Sequence, residues 1–242
     1  KAQVNWCPSC KTVLADEQVI LGACERCGNK VEKRLLEQWF FRITEYAEKL
    51  LSNLDRLDWT EKVRIAQENW IGKKTGINIE YPVVDSKGNV QGSVTCFTTR
   101  PDTNYGATFV VLAPEHAFME VVLDFNSRMD KTREKDVRAY IHAAKIKSDQ
   151  DRIAQGRKKT GVDSGLYCVN QLTGRRMPLY ISDFVLGGFG TGAVVGVHGH
   201  DSRDFEFARV FRLPVLRVVV AGDGDTSEIT SPEQVQEDEG TM

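Results

Sequence analysis

A chain of 242 residues, 41% of them hydrophobic, is long enough to bury the core of one large domain or two smaller ones. The formal net charge of −2 and pI near 6.2 exclude a whole-chain electrostatic argument for nucleic acid, and no apolar run reaches the roughly 18 residues of a spanning helix. With no charged-then-apolar signal pattern at the N-terminus, the expectation is a soluble cytoplasmic protein. The chain opens on Lys1 rather than Met and closes on the acidic, turn-rich Glu239-Gly240-Thr241-Met242, as an excised fragment would.

Cys7, Cys10, Cys24 and Cys27 form two Cys-x-x-Cys pairs thirteen residues apart. Each pair can set two thiolates on one tight knuckle, and two knuckles supply the four soft ligands of a tetrahedral Zn2+ site. Pro8 and Gly28 are the turn residues such knuckles need. Four protein ligands leave no open position for water, so the site reads as structural, and a module of about thirty residues would draw most of its stability from the metal. Cys96 and Cys168 have no partner motif and read as small buried residues.

Between Glu32 and Asp58 the apolar residues Leu36, Trp39, Phe40, Ile43, Tyr46, Ala47, Leu50, Leu51, Leu54 and Leu57 recur at three and four. That spacing predicts an amphipathic helix, or two joined near Ser52-Asn53. Alternation then predicts strands over 77–84 and 90–99, joined by a turn at Asp85-Ser86-Lys87-Gly88-Asn89, and another over 108–112. The second strand ends in Thr95-Cys96-Phe97-Thr98-Thr99-Arg100-Pro101-Asp102-Thr103, where Pro101 forces the chain out of regular pairing. Hydroxyls at such a strand mouth suit recognition of a ligand, although Thr favours strands and Pro-Asp makes ordinary turns.

A helix is predicted over 114–122 with Glu115 in its first turn, and a charged helix over 130–155. From Arg128 to Lys159 eleven Lys or Arg stand against five Asp or Glu, a phosphate-facing surface or simply a solvated helix face. Strands resume over 165–169 and 177–181 around a turn at Thr173-Gly174. The glycine-dense stretch from Gly187 to Gly192 lacks a following GK[ST], and 193–197 reads as a strand, so close backbone approach is favoured over a phosphate loop. His198-Gly199-His200-Asp201 leads into a helix in which Asp201 and Asp204 lie one turn apart; either carboxylate can instead simply cap that helix. The final stretch from Gly222 carries seven acidic residues and no basic one.

Two stretches carry a resemblance. The first is Phe97-Thr98-Thr99-Arg100-Pro101-Asp102-Thr103 with Tyr105-Gly106-Ala107-Thr108 and Leu112-Ala113-Pro114-Glu115-His116; the second runs from Gly190-Thr191-Gly192 through His200-Asp201-Ser202-Arg203-Asp204 to Phe207-Ala208. Together they resemble the signatures of the leucyl-tRNA synthetase editing domain, and the likeness extends over nearly the whole chain, zinc module included. It implies an α+β fold: a mostly antiparallel, β-barrel-like domain over 73–242 with surrounding helices, a zinc ribbon over 1–31, and a helical stem over 32–72 that packs on the catalytic domain of the parent synthetase in cis. It implies hydrolysis of the ester of mischarged tRNA(Leu), norvaline for example, while leucyl-tRNA is spared.

The resemblance assigns roles residue by residue. Asp204 looks like the carboxylate that grips the substrate ammonium, with Asp201 supporting that wall; Thr98 and Thr99 look like the hydroxyl pair around the ester, the water and the ribose. Thr103 looks like the steric gate, Arg100 and Arg203 like groups that orient acidic neighbours and the tRNA end, and Val197 and His200 like further lining of the substrate wall. His200 can act as a base or through packing and hydrogen bonds. The likeness implies no cofactor for hydrolysis, ATP belonging only to the full-length synthetase, and a monomer bound to no membrane. His198 stands where the family usually has Pro, so that loop is either freer or carries an extra polar contact. Neither signature of the synthetic site is present. Two other readings stand beside this one: an RNA-binding module built on the zinc knuckle and the basic segment, and a catalytic zinc.

Overall fold

The computed structural model describes residues 2–39, 41–123, 130–145, 147, 151–152, 158–188, 190–222 and 224–242, and the chain divides into two units, Lys1–Lys73 and Lys74–Met242. Among the described residues no helix is long and apolar enough to cross a membrane.

In the first unit β1 (Ala2–Cys7) pairs antiparallel with β2 (Thr12–Leu14) and with β5 (Glu32–Leu36), while β3 (Val19–Ile20) and β4 (Ala23–Cys24) form a separate small hairpin. The expected helix from Glu32 is corrected here. Residues 32–36 are a strand, registered Trp6↔Glu32 to Ala2↔Leu36, because the free edge of β1 satisfies their backbone groups and local three-four spacing does not. Trp39 follows outside any helix or strand and is fully exposed, and Phe40 lies outside the described residues. Helix begins only at Ile43, as a 3-10 turn running into α1 (Ala47–Asn53) and a second 3-10 turn over Leu54–Arg56. The following helix, α2 (Glu61–Ile71), stops at Gly72, whose φ of 63° is the left-handed conformation a helix C-terminus favours.

In the second unit one six-stranded sheet has the order β11-β8-β10-β9-β6-β7, built from β6 (Ile77–Val84), β7 (Val90–Thr98), β8 (Phe109–Leu112), β9 (Val162–Val169), β10 (Arg176–Ile181) and β11 (Ala193–Gly196). Only β8 and β10 pair in parallel, and the two end strands β11 and β7 lie against each other, so the sheet curls into a nearly closed barrel. The turn between β6 and β7 is fixed as its residues suggest: the Asp85 carboxylate accepts from the Lys87 and Asn89 N–H groups, each at 2.9 Å.

β8 shows how the barrel positions everything else. All four of its residues are buried, since it is covered on both faces. Val110 and Leu112 join the barrel interior with Tyr81, Val83, Leu166, Leu179 and Ile181, under α3 (Ala117–Leu123) and α4 (Lys131–Lys145). Phe109 and Val111 face the other way, into an aromatic layer beneath α5 (Ser202–Phe211) in which Phe207 stacks on Phe109 at 5.1 Å and on Phe211 at 4.4 Å. Cys96 and Cys168 are buried in the interior as expected, and burial pushes the Cys96 thiol up to about 12.

α3 starts later than its sequence suggests, so Glu115 precedes the helix; its carboxylate binds the buried Arg152 guanidinium at 2.8 Å instead of facing a helix dipole. α4 occupies the first part of the predicted charged helix, and parts of the remainder lie outside the described residues. The glycine-rich stretch is a close-approach segment: the Gly192 carbonyl accepts from Ala113 N–H at 2.8 Å, and a Cβ on Gly187 would stand 3.1 Å from Glu115 Cβ.

Gly196 is the tightest of these approaches, for a Cβ there would stand 2.2 Å from the Phe109 ring. Gly196→Ala is expected to lower the stability of the second unit by about 1–3 kcal/mol through overpacking. An unchanged urea midpoint in equilibrium unfolding would remove Phe109 from its place against β11.

Candidate active site and metal centre

The hydroxyl wall grows from the end of β7. Thr98 Oγ1 accepts from Arg100 N–H at 3.0 Å, which turns the chain sharply and still leaves the hydroxyl proton to donate elsewhere. Pro101 then opens a single 3-10 turn over Asp102–Gly106, and Thr103 donates its hydroxyl to the Arg100 carbonyl at 2.8 Å. Thr103 is buried at 1% exposure, Thr98 half-buried and Thr99 exposed. The Arg100 guanidinium forks onto Asp102, with Nε at 3.0 Å from Oδ1 and Nη2 at 2.7 Å from Oδ2, and those bonds hold the Asp102 carboxyl below its usual range. Its Nη1 reaches the carbonyls of Glu237 at 3.0 Å and Asp238 at 3.4 Å.

The carboxylate wall grows from the end of β11. Val197 is half-buried, and its N–H donates to Asp204 Oδ2 at 3.0 Å. Asp201 takes the N-cap of α5 in extended conformation, its Oδ1 accepting from the N–H groups of Arg203 at 2.8 Å and Asp204 at 3.2 Å. The capping role that the sequence left open therefore falls to Asp201, while Asp204 lies inside the helix, buried at 4% exposure. Burial, and next the nearby Asp201 charge, push the Asp204 carboxyl up to about 7. At Asp201 burial acts the same way, but the Arg203 guanidinium at 2.9 Å and the two backbone donors prevail and hold it low. Arg203 itself is largely exposed beside the cap.

The two histidines are tied into the fold. His200 donates from Nδ1 to the Gln236 carbonyl at 3.0 Å and accepts at Nε2 from Val218 N–H at 3.1 Å and Val219 N–H at 3.3 Å, so both ring nitrogens are engaged by backbone. Burial lowers its pKa and keeps the neutral ring that this pattern requires. His198 is fully buried, 5.5 Å from the Phe109 ring, with Nε2 bonded to the Pro214 carbonyl. Of the two outcomes expected for His in place of Pro, the structure has the extra polar contact and an anchored loop.

Closure of the barrel brings the two walls together, since β7 carries one and β11 the other. Both also bind residues 236–238, which sequence reasoning missed; the acidic tail offers no motif or periodicity that would have placed it there.

In the first unit the four Sγ atoms of Cys7, Cys10, Cys24 and Cys27 lie within 4.8 Å of one another. Tetrahedral Zn–S bonds would set sulfurs about 3.8 Å apart, so the donor set fits a four-thiolate ion. The knuckles form as the sequence requires: Cys10 N–H donates to Cys7 Sγ at 3.3 Å, and Gly28, at φ 69°, donates its N–H to the Cys24 carbonyl at 2.8 Å. Backbone and side-chain N–H groups of Asn29 lower the Cys27 thiol, while hydrogen bonding with Cys27 and then Cys7 raises the Cys10 thiol, so without a metal the four sulfurs share their protons unevenly.

The family model described as leucyl-tRNA synthetase, editing domain, matches residues 68–242. The leucine-tRNA ligase of Caldanaerobacter subterraneus subsp. tengcongensis is 50% identical over 228 residues, 94% of this chain and 26% of that protein. That of Nitratidesulfovibrio vulgaris (strain DP4) is 49% identical over 228 residues, 93% of this chain and 26% of that protein. Among solved structures, the ternary complex of Agrobacterium radiobacter K84 agnB2 LeuRS with tRNA and LeuAMS matches with a TM-score of 0.62 and 37% identity, over 96% of this chain and 27% of that one. The chain spans about a quarter of the length of the curated relatives it matches.

The raised Asp204 pKa has a thermodynamic signature. An acid whose folded pKa lies above its unfolded value binds its proton more tightly when folded, so its contribution is complete below about 3.8 and is lost as pH rises towards about 7. Urea unfolding between pH 4 and 8 is expected to show the wild type losing stability with rising pH relative to Asp204→Asn. Parallel profiles would place Asp204 in a wetter setting than its burial implies.

Proposed function

Because this chain belongs to the leucyl-tRNA synthetase editing-domain family, we propose that it hydrolyses the ester joining a wrong amino acid to the end of tRNA(Leu). The observation that carries this reading is the buried Asp204 carboxylate, whose bond to Val197 N–H does not offset its desolvation. A substrate α-ammonium supplies the missing positive charge, so binding and ionisation of Asp204 reinforce each other.

With the ammonium held on α5, the ester lies between that helix and the strand mouth of β7. Water attacks the carbonyl carbon, the tetrahedral oxyanion collapses, and the C–O bond to ribose breaks to release a free amino acid and a ribose hydroxyl. Thr98 can donate its hydroxyl proton to the developing oxyanion while its oxygen stays fixed by Arg100 N–H, and the exposed Thr99 lies beside it for the water or ribose. His200 contributes by holding its loop, since a ring with both nitrogens engaged has no lone pair for a proton from water. The tRNA ribose hydroxyl is the remaining candidate to assist the water.

Discrimination falls to Thr103. Its hydroxyl is committed to the Arg100 carbonyl, which fixes the side chain as a buried steric element under the hydroxyl wall. One methylene separates substrates by only about 1–3 kcal/mol in a binding pocket, so a second sieve that rejects the γ-branched leucine and admits linear norvaline adds the selectivity that binding alone lacks. In the first unit Zn2+ on the four cysteines would serve a structural role. The exposed Trp39, Phe41 and Trp70 suit docking on the parent ligase in cis, in a cytoplasmic monomer. The RNA-binding alternative draws less support from the basic segment than its charge count suggested, because Arg133, Arg138 and Lys147 pair with Asp163, Glu134 and Asp183.

The chain is expected to hydrolyse norvalyl-tRNA(Leu) and spare leucyl-tRNA(Leu), and Thr103→Ala to gain leucyl-tRNA cleavage. Asp204→Ala is expected to abolish deacylation; wild-type turnover in that variant would remove the ammonium anchor. Elemental analysis is expected to find one zinc per chain, lost in Cys24→Ser with little change in deacylation. A parallel loss of zinc and rate would instead point to catalytic metal.

A further inference from the structure

The last residues of the chain bridge the two walls. Gln236 N–H donates to the Gly199 carbonyl at 3.1 Å, and its carbonyl accepts from His200 Nδ1 at 3.0 Å, a two-point pairing on the loop ahead of α5. Glu237 then divides its groups: its carbonyl receives Arg100 Nη1 at 3.0 Å on the hydroxyl wall, and its Oε1 accepts from Ser202 N–H at 3.0 Å on the carboxylate wall.

The second contact fills a specific gap. The opening N–H groups of a helix have no intrahelical partners, and Asp201 serves those of Arg203 and Asp204 but not that of Ser202. Glu237 supplies the acceptor for Ser202, and its charge lies favourably at the helix start. The segment is also fastened behind the site. Val220 and Thr241 exchange N–H to carbonyl bonds at 2.8 and 2.9 Å, Arg217 Nη2 donates to the Gln234 carbonyl at 3.3 Å, and a Cβ on Gly240 would stand 2.2 Å from the Val220 carbonyl.

We propose that residues 236–238 are a clasp setting the spacing between the hydroxyl and carboxylate walls, and that Glu237 is a positioning residue for ester hydrolysis. This rests on the hydrolytic reading above. Glu237 acts through the Arg100 guanidinium, which ties the Thr98–Thr103 turn to the clasp, and through the first turn of α5, which carries Asp204. A displacement of about 1 Å between groups on opposite sides of an ester can cost up to about a hundredfold in rate. Loss of one of several anchoring bonds should therefore act on kcat more than on KM.

The test compares Glu237→Ala, Glu237→Gln and Glu228→Ala, the last removing a charge from an exposed position on the same acidic segment. With norvalyl-tRNA(Leu), Glu237→Ala is expected to lower kcat about tenfold with KM within about threefold. Glu237→Gln, which keeps an oxygen acceptor, is expected to stay within about twofold of wild type, as is Glu228→Ala. Amide hydrogen exchange over residues 198–205 is expected to quicken in Glu237→Ala but not in Glu237→Gln. Unchanged exchange in Glu237→Ala would overturn the clasp. Unchanged kcat, or a Gln variant as slow as Ala, would overturn the positioning role. A wild type that cleaves neither ester would defeat the hydrolytic reading and the positioning role with it, while exchange would still decide the clasp.

Discussion

The buried carboxylate of Asp204 is the constraint around which the second unit is arranged. An acid at 4% exposure costs the fold free energy when ionised, and protonation, which burial favours here, relieves that cost. Phe205 and Phe207, which follow it in α5, are themselves buried, and Phe207 stacks into the aromatic layer over β8. Asp201 fixes the helix start, and Val197 N–H, delivered by the end of β11, fixes one carboxylate oxygen. Gly196 lets β11 lie close enough to Phe109 for that delivery. A carboxylate fixed in position but costly to ionise is suited to binding a cation, since a matched positive charge lets it ionise without that cost.

The opposite wall follows another logic. Its hydroxyls are ordered by local bonds between near neighbours, Thr98 with Arg100 N–H and Thr103 with the Arg100 carbonyl, so the turn would hold its shape wherever it was placed. Its placement comes from Arg100, whose guanidinium is divided between Asp102 and the carbonyls of residues 237 and 238. The resemblance implied that Arg100 orients acidic neighbours and the tRNA end. In the structure it orients Asp102 and the chain's own terminal segment, a structural tie made of the same donors that would suit a phosphate.

Legibility in the sequence followed the range of the interactions involved. β6 was read to the residue because alternation, β-branching and the Asp85 turn are all local, and the cysteine knuckles announced themselves by spacing. The Thr-rich and His-Asp stretches could be singled out as site residues, yet nothing in either says that they meet; that depends on closure between β7 and β11, over ninety residues apart. The helix expected from Glu32 failed because pairing with β1, some thirty residues earlier, overrides a local period. Residues 236–238 were illegible since they act mainly through backbone carbonyls and N–H groups, which every residue carries. His198 was half legible: its departure from the family pattern was visible, and its burial against Phe109 was not.

The first unit solves the problem of small size in the opposite way from the barrel. Its buried apolar cluster is little more than Cys7, Leu14 and Cys24, with Cys10, Val19 and Val31 around it, so two of its three fully buried members are themselves metal-ligand candidates. Meanwhile Trp39, Phe41 and Trp70 stand at least 88% exposed, an apolar surface that a small free-standing domain would be expected to bury. A core built largely from the cysteines leaves those aromatic residues outside its packing. The unit therefore pairs a minimal interior made mainly of thiols with an aromatic exterior, the reverse of the barrel, whose aromatic side chains Phe109 and Phe207 lie inside.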